Sequence, residues 1–95
     1  MKLNYEQMSD GEITWRVHHT VNKIPDGYAT ICTSDYCNNP SDAWPIIVDN
    51  DITVRGGGVA YVDRNYFDVP IHVTRNRNPL RAAMICFLKM KELEK

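Results

Sequence analysis

Two segments of this chain share one pattern, N-P-x-x-A-x-x-I: Asn39-Pro40-Ser41-Asp42-Ala43-Trp44-Pro45-Ile46 and Asn78-Pro79-Leu80-Arg81-Ala82-Ala83-Met84-Ile85. Both read as helix starts. An asparagine at the N-cap lends its side-chain oxygen to a free amide of the first turn. A proline at the next position has the right φ and lacks only a hydrogen that had no partner. One cap signature used twice explains the agreement without a duplication. In the first copy Pro45 falls one turn in, at the cost of a backbone bond or a kink. Either that helix restarts there, with Ser41 or Asp42 as the effective cap, or it bends. Trp44 then sits at the bend, its ring over the core and its indole N–H outward.

The rest of the chain must supply what these two helices pack against. Ser9-Asp10-Gly11-Glu12 is a capping-box pattern, and Ile13, Val17 and Val21 follow at i, i+4 and i+8. This predicts a helix of about three turns that ends before Pro25. Pro25-Asp26-Gly27 is turn chemistry, so "YATICT" after it reads as a short strand. The segment "FDVPIHVT" alternates, with Phe67, Val69, Ile71 and Val73 on an apolar face and Asp68, Pro70, His72 and Thr74 on a polar one. Pro70 cannot donate to a ladder, which places this strand at an edge or at a bulge. "GVAYV" reads as its hairpin partner and "DITVR", ahead of Gly56-Gly57-Gly58, as one more strand. His72 on the polar face reads as solvated. Leu80, Ala83, Met84, Phe87 and Leu88 repeat at helical spacing along the last element, a core stripe followed by Lys89, Lys91 and Lys95 toward the dipole's negative end. The predicted fold is α+β: one domain, residues 1–95, with a small antiparallel sheet of three to four strands layered with about three helices.

Composition narrows the function classes. Hydrophobic content of 43% and charged content of 24% fit a folded globular chain with no membrane span. A net charge of −1 supplies no basic field of the kind that drives non-specific nucleic-acid binding. The head, "MKLNYEQMSDGE", has no apolar region behind its lysine, so the cytosol is the expected compartment. Cys32, Cys37 and Cys86 form no C-x-x-C pair, and with His18, His19 and His72 they lack zinc-knuckle spacing. No metal and no cofactor is expected. Cys32 and Cys86 read as small hydrophobes. Gly56-Gly57-Gly58 lacks the Lys-Ser/Thr of a phosphate-binding loop, no serine sits in a G-x-S-x-G elbow, and no spacing selects a nucleophile with its base. A non-enzymatic binding protein is the reading that remains.

One constellation points to a ligand. Arg75, Arg77 and Arg81 crowd the start of the last helix, where the macrodipole already supplies positive potential. Arginines converging with free amides suit a phosphate or carboxylate. A second reading has Asp42, Asp49, Asp51 and other acids neutralising them, or their stems covering the sheet. If the two N-P helix starts meet, Asn38 and Trp44 become walls of a pocket whose charge comes from the arginines beside Asn78.

The segments "MKLNYEQMSDGEI", "CNNPSDAWPIIVDN" and "NPLRAAMICFL" resemble the NinX-like family, small proteins of temperate lambdoid bacteriophages. More distantly, the order of a D-A-W helix, a strand hairpin and a final N-P-x-x-A helix is similar to phage ABA-sandwich domains. The resemblance implies an α+β layered fold acting in the cytoplasm of an infected bacterium, and no established reaction. Two functions follow as expectations. One is a counter-defence sponge that sequesters a nucleotide second messenger of bacterial immunity: a cyclic nucleotide or other phosphate-bearing small molecule, held by Arg75, Arg77, Asn78 and Arg81 with Trp44 and Asn38, in a homo-oligomer. The other is a protein–protein adaptor or inhibitor that binds a host or phage factor through the Trp44 region.

Overall fold

The computed structural model describes residues 4–25, 32–62 and 71–93. After a 3-10 turn over Tyr5–Gln7 come helices α1 (Asp10–Val21) and α2 (Pro40–Asp49), strands β1 (Ile52–Arg55), β2 (Val59–Val62) and β3 (Ile71–Arg75), and helix α3 (Pro79–Leu93). The strands form an antiparallel sheet in the order β1-β2-β3. This is the α+β fold, with three helices and a three-stranded antiparallel sheet among the described residues.

Each helix begins as its cap residues dictate. Ser9 Oγ accepts from Glu12 N at 3.1 Å, Asn39 Oδ1 from Ser41 N at 3.0 Å and Asn78 Oδ1 from Leu80 N at 3.0 Å. Helix α2 runs unbroken through Pro45 with Asn39 as its cap, so it neither restarts nor takes Ser41 or Asp42 as the cap. Pro45 is the sixth residue of this ten-residue helix, so its missing N–H costs the ladder one bond, the one to the Ser41 carbonyl, and the helix continues past it.

Helix α3 is the centre of the molecule. It packs on all three strands and on α1 and α2 as well. Residues 81–88 are consequently buried without interruption, well beyond the predicted stripe. A helix covered on all sides needs small and apolar residues around its whole circumference, and Ala82, Ala83, Met84, Ile85 and Cys86 supply them. One core cluster runs from Tyr5 through Ile13, Val17 and Ile47 to Ile52, Val62 and Phe87.

Two predicted faces change. Val21 is exposed at the end of α1, and His19 is buried instead, its ring 3.9 Å from that of Trp15 at the centroids. Neither ring nitrogen of His19 has a hydrogen-bond partner among the described residues. On β3, Thr74 faces the core and Val73 is 43% exposed, the reverse of the predicted sides. The cause is an irregularity in pairing between Ala60 and Val62, which shifts the alternation of β3 against its neighbour. Among the described strands β3 is an edge, and it carries a bulge. Of the strand expected over residues 28–33, Cys32 and Thr33 have no regular structure and residues 28–31 lie outside the described part, as do residues 67–70 and the side chain of His72.

Candidate functional site

The two N-P helix starts meet, and the start of α1 joins them. Asn78 Nδ2 donates to the carbonyl of Cys37 at 2.5 Å and to Asn38 Oδ1 at 3.1 Å. Asn38 Nδ2 in turn donates to Asp35 Oδ1 at 3.2 Å and to Asp10 Oδ2 at 3.4 Å. Asp10 Oδ1 accepts from Arg81 Nη1 at 2.6 Å, and Asp42 Oδ2 accepts from Asp35 N at 2.9 Å. Three helix N-termini therefore converge on one polar junction. Their combined positive potential, with that of Arg81, faces the protein's own carboxylates.

This divides the six predicted site residues into two groups. Asn38, Asn78 and Arg81 spend their bonding capacity inside the protein. Arg81 is buried, 8% exposed, and besides Asp10 its Nη2 donates to the carbonyls of Glu6 (3.3 Å) and Met8. Asn78 Oδ1 accepts from Leu80 N and, at 3.4 Å, from Arg81 N while its amide serves Cys37 and Asn38. The acid that pairs with Arg81 is Asp10, one of the other acids of that reading and none of the three it named. Sequence distance hides that contact, since Asp10 precedes Arg81 by 71 residues.

Trp44, Arg75 and Arg77 form the second group and face solvent. Trp44 is 61% exposed on α2, with Val48 52% exposed one turn further on, so its ring does not cover the core as expected. Arg75 and Arg77 are exposed and make no hydrogen bond or ion pair among the described residues. They flank Asn76, whose N–H donates to Gly58 O at 2.7 Å and whose Oδ1 accepts from Asn78 N at 3.1 Å. The chain between β3 and α3 is pinned on both sides of Arg77.

A third arginine belongs with this group. Arg55 ends β1 and pairs with Val59, which pairs on its other edge with Arg75. Residues opposite one another in a sheet share a face, and Ile52, Ala60 and Val62 mark the core side, so Arg55, Val59 and Arg75 lie together on the outer side. Arg55 Nε donates to Tyr61 Oη at 3.1 Å, and its guanidinium carbon stands 5.5 Å from the Tyr61 ring centroid. The signal for Arg55 was present in the sequence: with a Gly56-Gly57-Gly58 turn, the hairpin register sets residue 55 opposite residue 59.

The Cys37 and Cys86 thiols are held in their protonated form at neutral pH. Burial pushes Cys37 up to about 11 and Cys86 up to about 12, with the nearby Asp10 charge adding to the rise at Cys37. Among the described residues no group of three or more His, Cys, Asp and Glu side chains is placed to hold a metal ion. Among the same residues no helix is long and apolar enough to cross a membrane.

A family model described as "Bacteriophage P22, NinX" matches residues 4–91. No curated protein and no solved structure matches the chain.

Proposed function

The chain belongs to the bacteriophage NinX family, and from that premise we propose that it is a non-enzymatic binding protein that sequesters a phosphate-bearing nucleotide messenger of bacterial immunity in the cytoplasm of the infected host. The observation that carries this reading is the pair Arg75 and Arg77: exposed, unpaired among the described residues, and fixed in place by the bonds of Asn76 between them. Unpaired guanidinium groups held by a stiff backbone suit a doubly charged oxyanion, which each can bind bidentately. Sequestration needs affinity alone. A homo-oligomer fits the same reading, because a domain of this size encloses a nucleotide most readily between subunits.

A second reading rests on Trp44. With Val48 one turn away it forms an apolar patch on the outside of α2, the kind of aromatic anchor that dominates protein–protein interfaces. In that case the protein is an adaptor or inhibitor of a host or phage factor.

Incubation with cyclic dinucleotides, cyclic trinucleotides and cyclic ADP-ribose isomers separates the two. A sequestered ligand present at a hundred times its Kd is expected to raise the melting temperature by about 10 °C or more. It should return with unchanged mass on heating, and the double substitution Arg75→Glu with Arg77→Glu should abolish the shift while Trp44→Ala does not. A ligand returned with altered mass makes the protein an enzyme. No shift with any of these nucleotides rejects sequestration and leaves the Trp44 surface as the functional one.

A further inference from the structure

The outer side of the sheet carries more than Arg75. Its described residues are Thr53, Arg55, Val59, Tyr61, Val73 and Arg75, and no acid is among them. Arg55 and Arg75 stand on opposite edge strands on either side of Val59, about 10 Å apart at Cα, two strand spacings. Two like charges facing one another across a single valine repel, and neither has an acidic partner among the described residues.

Arg55 is also oriented in advance. Its Nε is held by the Tyr61 hydroxyl and its plane is steadied by the Tyr61 ring. The edge bearing Nη1 and Nη2 has no partner among the described residues, and that edge matches two oxygens of one phosphate. Tyr61 is 9% exposed and outside the core cluster, so this tyrosine serves the outer side of the sheet. Between and beside the arginines, half-buried Val59 and exposed Val73 offer an apolar floor.

We infer that the ligand sits on this outer sheet face, with one phosphate on Arg55 and a second on Arg75 across Val59, and that its class is a nucleotide carrying two phosphate groups. This rests on the sequestration reading above and adds to it a residue, Arg55, and a ligand stoichiometry. The polar junction of the three helix starts is then not the binding site, since Asp10 already occupies the anion position there.

The test is calorimetric titration of the full chain with inorganic phosphate, pyrophosphate and a cyclic dinucleotide, repeated for Arg55→Gln, Arg55→Lys and Arg75→Gln. The two diphosphate probes are expected to bind more tightly than phosphate. Arg55→Gln and Arg75→Gln should each weaken them about tenfold, the loss of a charge-assisted contact, with the unliganded melting temperature nearly unchanged. Arg55→Lys should not restore affinity, because an ammonium cannot present the paired donors. If Arg55→Gln binds as the unaltered chain does while Arg75→Glu with Arg77→Glu abolishes binding, the placement on the sheet is wrong and sequestration survives. If the substituted proteins self-associate but bind normally, the arginines only blunt the sheet edges and the inference falls. Failure of the unaltered chain to bind any of the probes overturns both readings.

Discussion

Arg81 is the residue whose role the structure changes most. Its guanidinium joins α3 to Asp10 at the start of α1 and to two carbonyls of the N-terminal turn, with little access to water. Removing it strands two carbonyls and a carboxylate that had charged donors. Arg81→Ala is expected to cost about 3 kcal/mol, measured by urea denaturation, whereas Arg75→Ala should stay within about 0.5 kcal/mol. Equal small losses at both positions would return Arg81 to the list of free cations. The local sequence announces Asn78 as a cap, because capping depends on neighbours two and three residues away. It cannot announce that Asn78 also holds Cys37 and Asn38, about forty residues back, since such contacts leave no periodic trace. This is why the contacts of Asn38, Asn78 and Arg81 within the protein are not legible locally, and why the place of Arg55 beside Arg75 follows only once β3 is set against β2.

At the scale of elements, periodicity, caps and the β1–β2 hairpin were the legible signals and the register of β3 was not. The starts of all three helices follow from Ser9, Asn39 and Asn78. The sides of β3 do not follow from its alternation, because a one-residue irregularity opposite Tyr61 exchanges the two faces. Gly58 shows how tightly that register is set. Its φ is +83°, and a Cβ there would lie 1.5 Å from the carbonyl oxygen of Asn76. The close approach allows Asn76 N–H to reach Gly58 O and extends the β2 to β3 ladder past Arg75. Gly58→Ala is accordingly expected to destabilise by about 3 kcal/mol. Gly56→Ala, where a Cβ meets nothing within 4 Å and φ is not positive, should change stability by no more than about 0.5 kcal/mol. Denaturation midpoints of the two variants test this, and equal values would mean that the turn, and with it the spacing of Arg55 and Arg75, is not held by Gly58.

For the whole molecule, the N-terminal turn is fastened to the far end of α3. Tyr5 Oη donates to Glu92 Oε2 at 2.9 Å, and Lys89 Nζ donates to Glu6 Oε1 at 2.8 Å. The two ties fail at opposite ends of the pH scale. The bond from Lys89 holds the Glu6 carboxyl below its ordinary range, against the opposing effect of burial, so its contribution is present above that range and is lost as pH falls through the lowered value. With both side chains partly exposed the contribution is small and screened by salt. Tyr5 behaves in the other direction. Burial first, then the bond to Glu92 and its charge, push the phenol from about 10 up to about 12. The folded chain holds the protonated form, so Tyr5's stabilisation is complete below pH 10 and disappears as pH climbs toward 12. Tyr5→Phe removes the bond and the titration together. The variant is expected to be about 1 kcal/mol less stable than the unaltered chain at pH 8, with the gap closing between pH 10 and 12 as the unaltered chain loses this tie. Urea midpoints followed across that interval decide it: a gap that stays constant with pH would mean that the Tyr5 hydroxyl does not join the two ends of the chain.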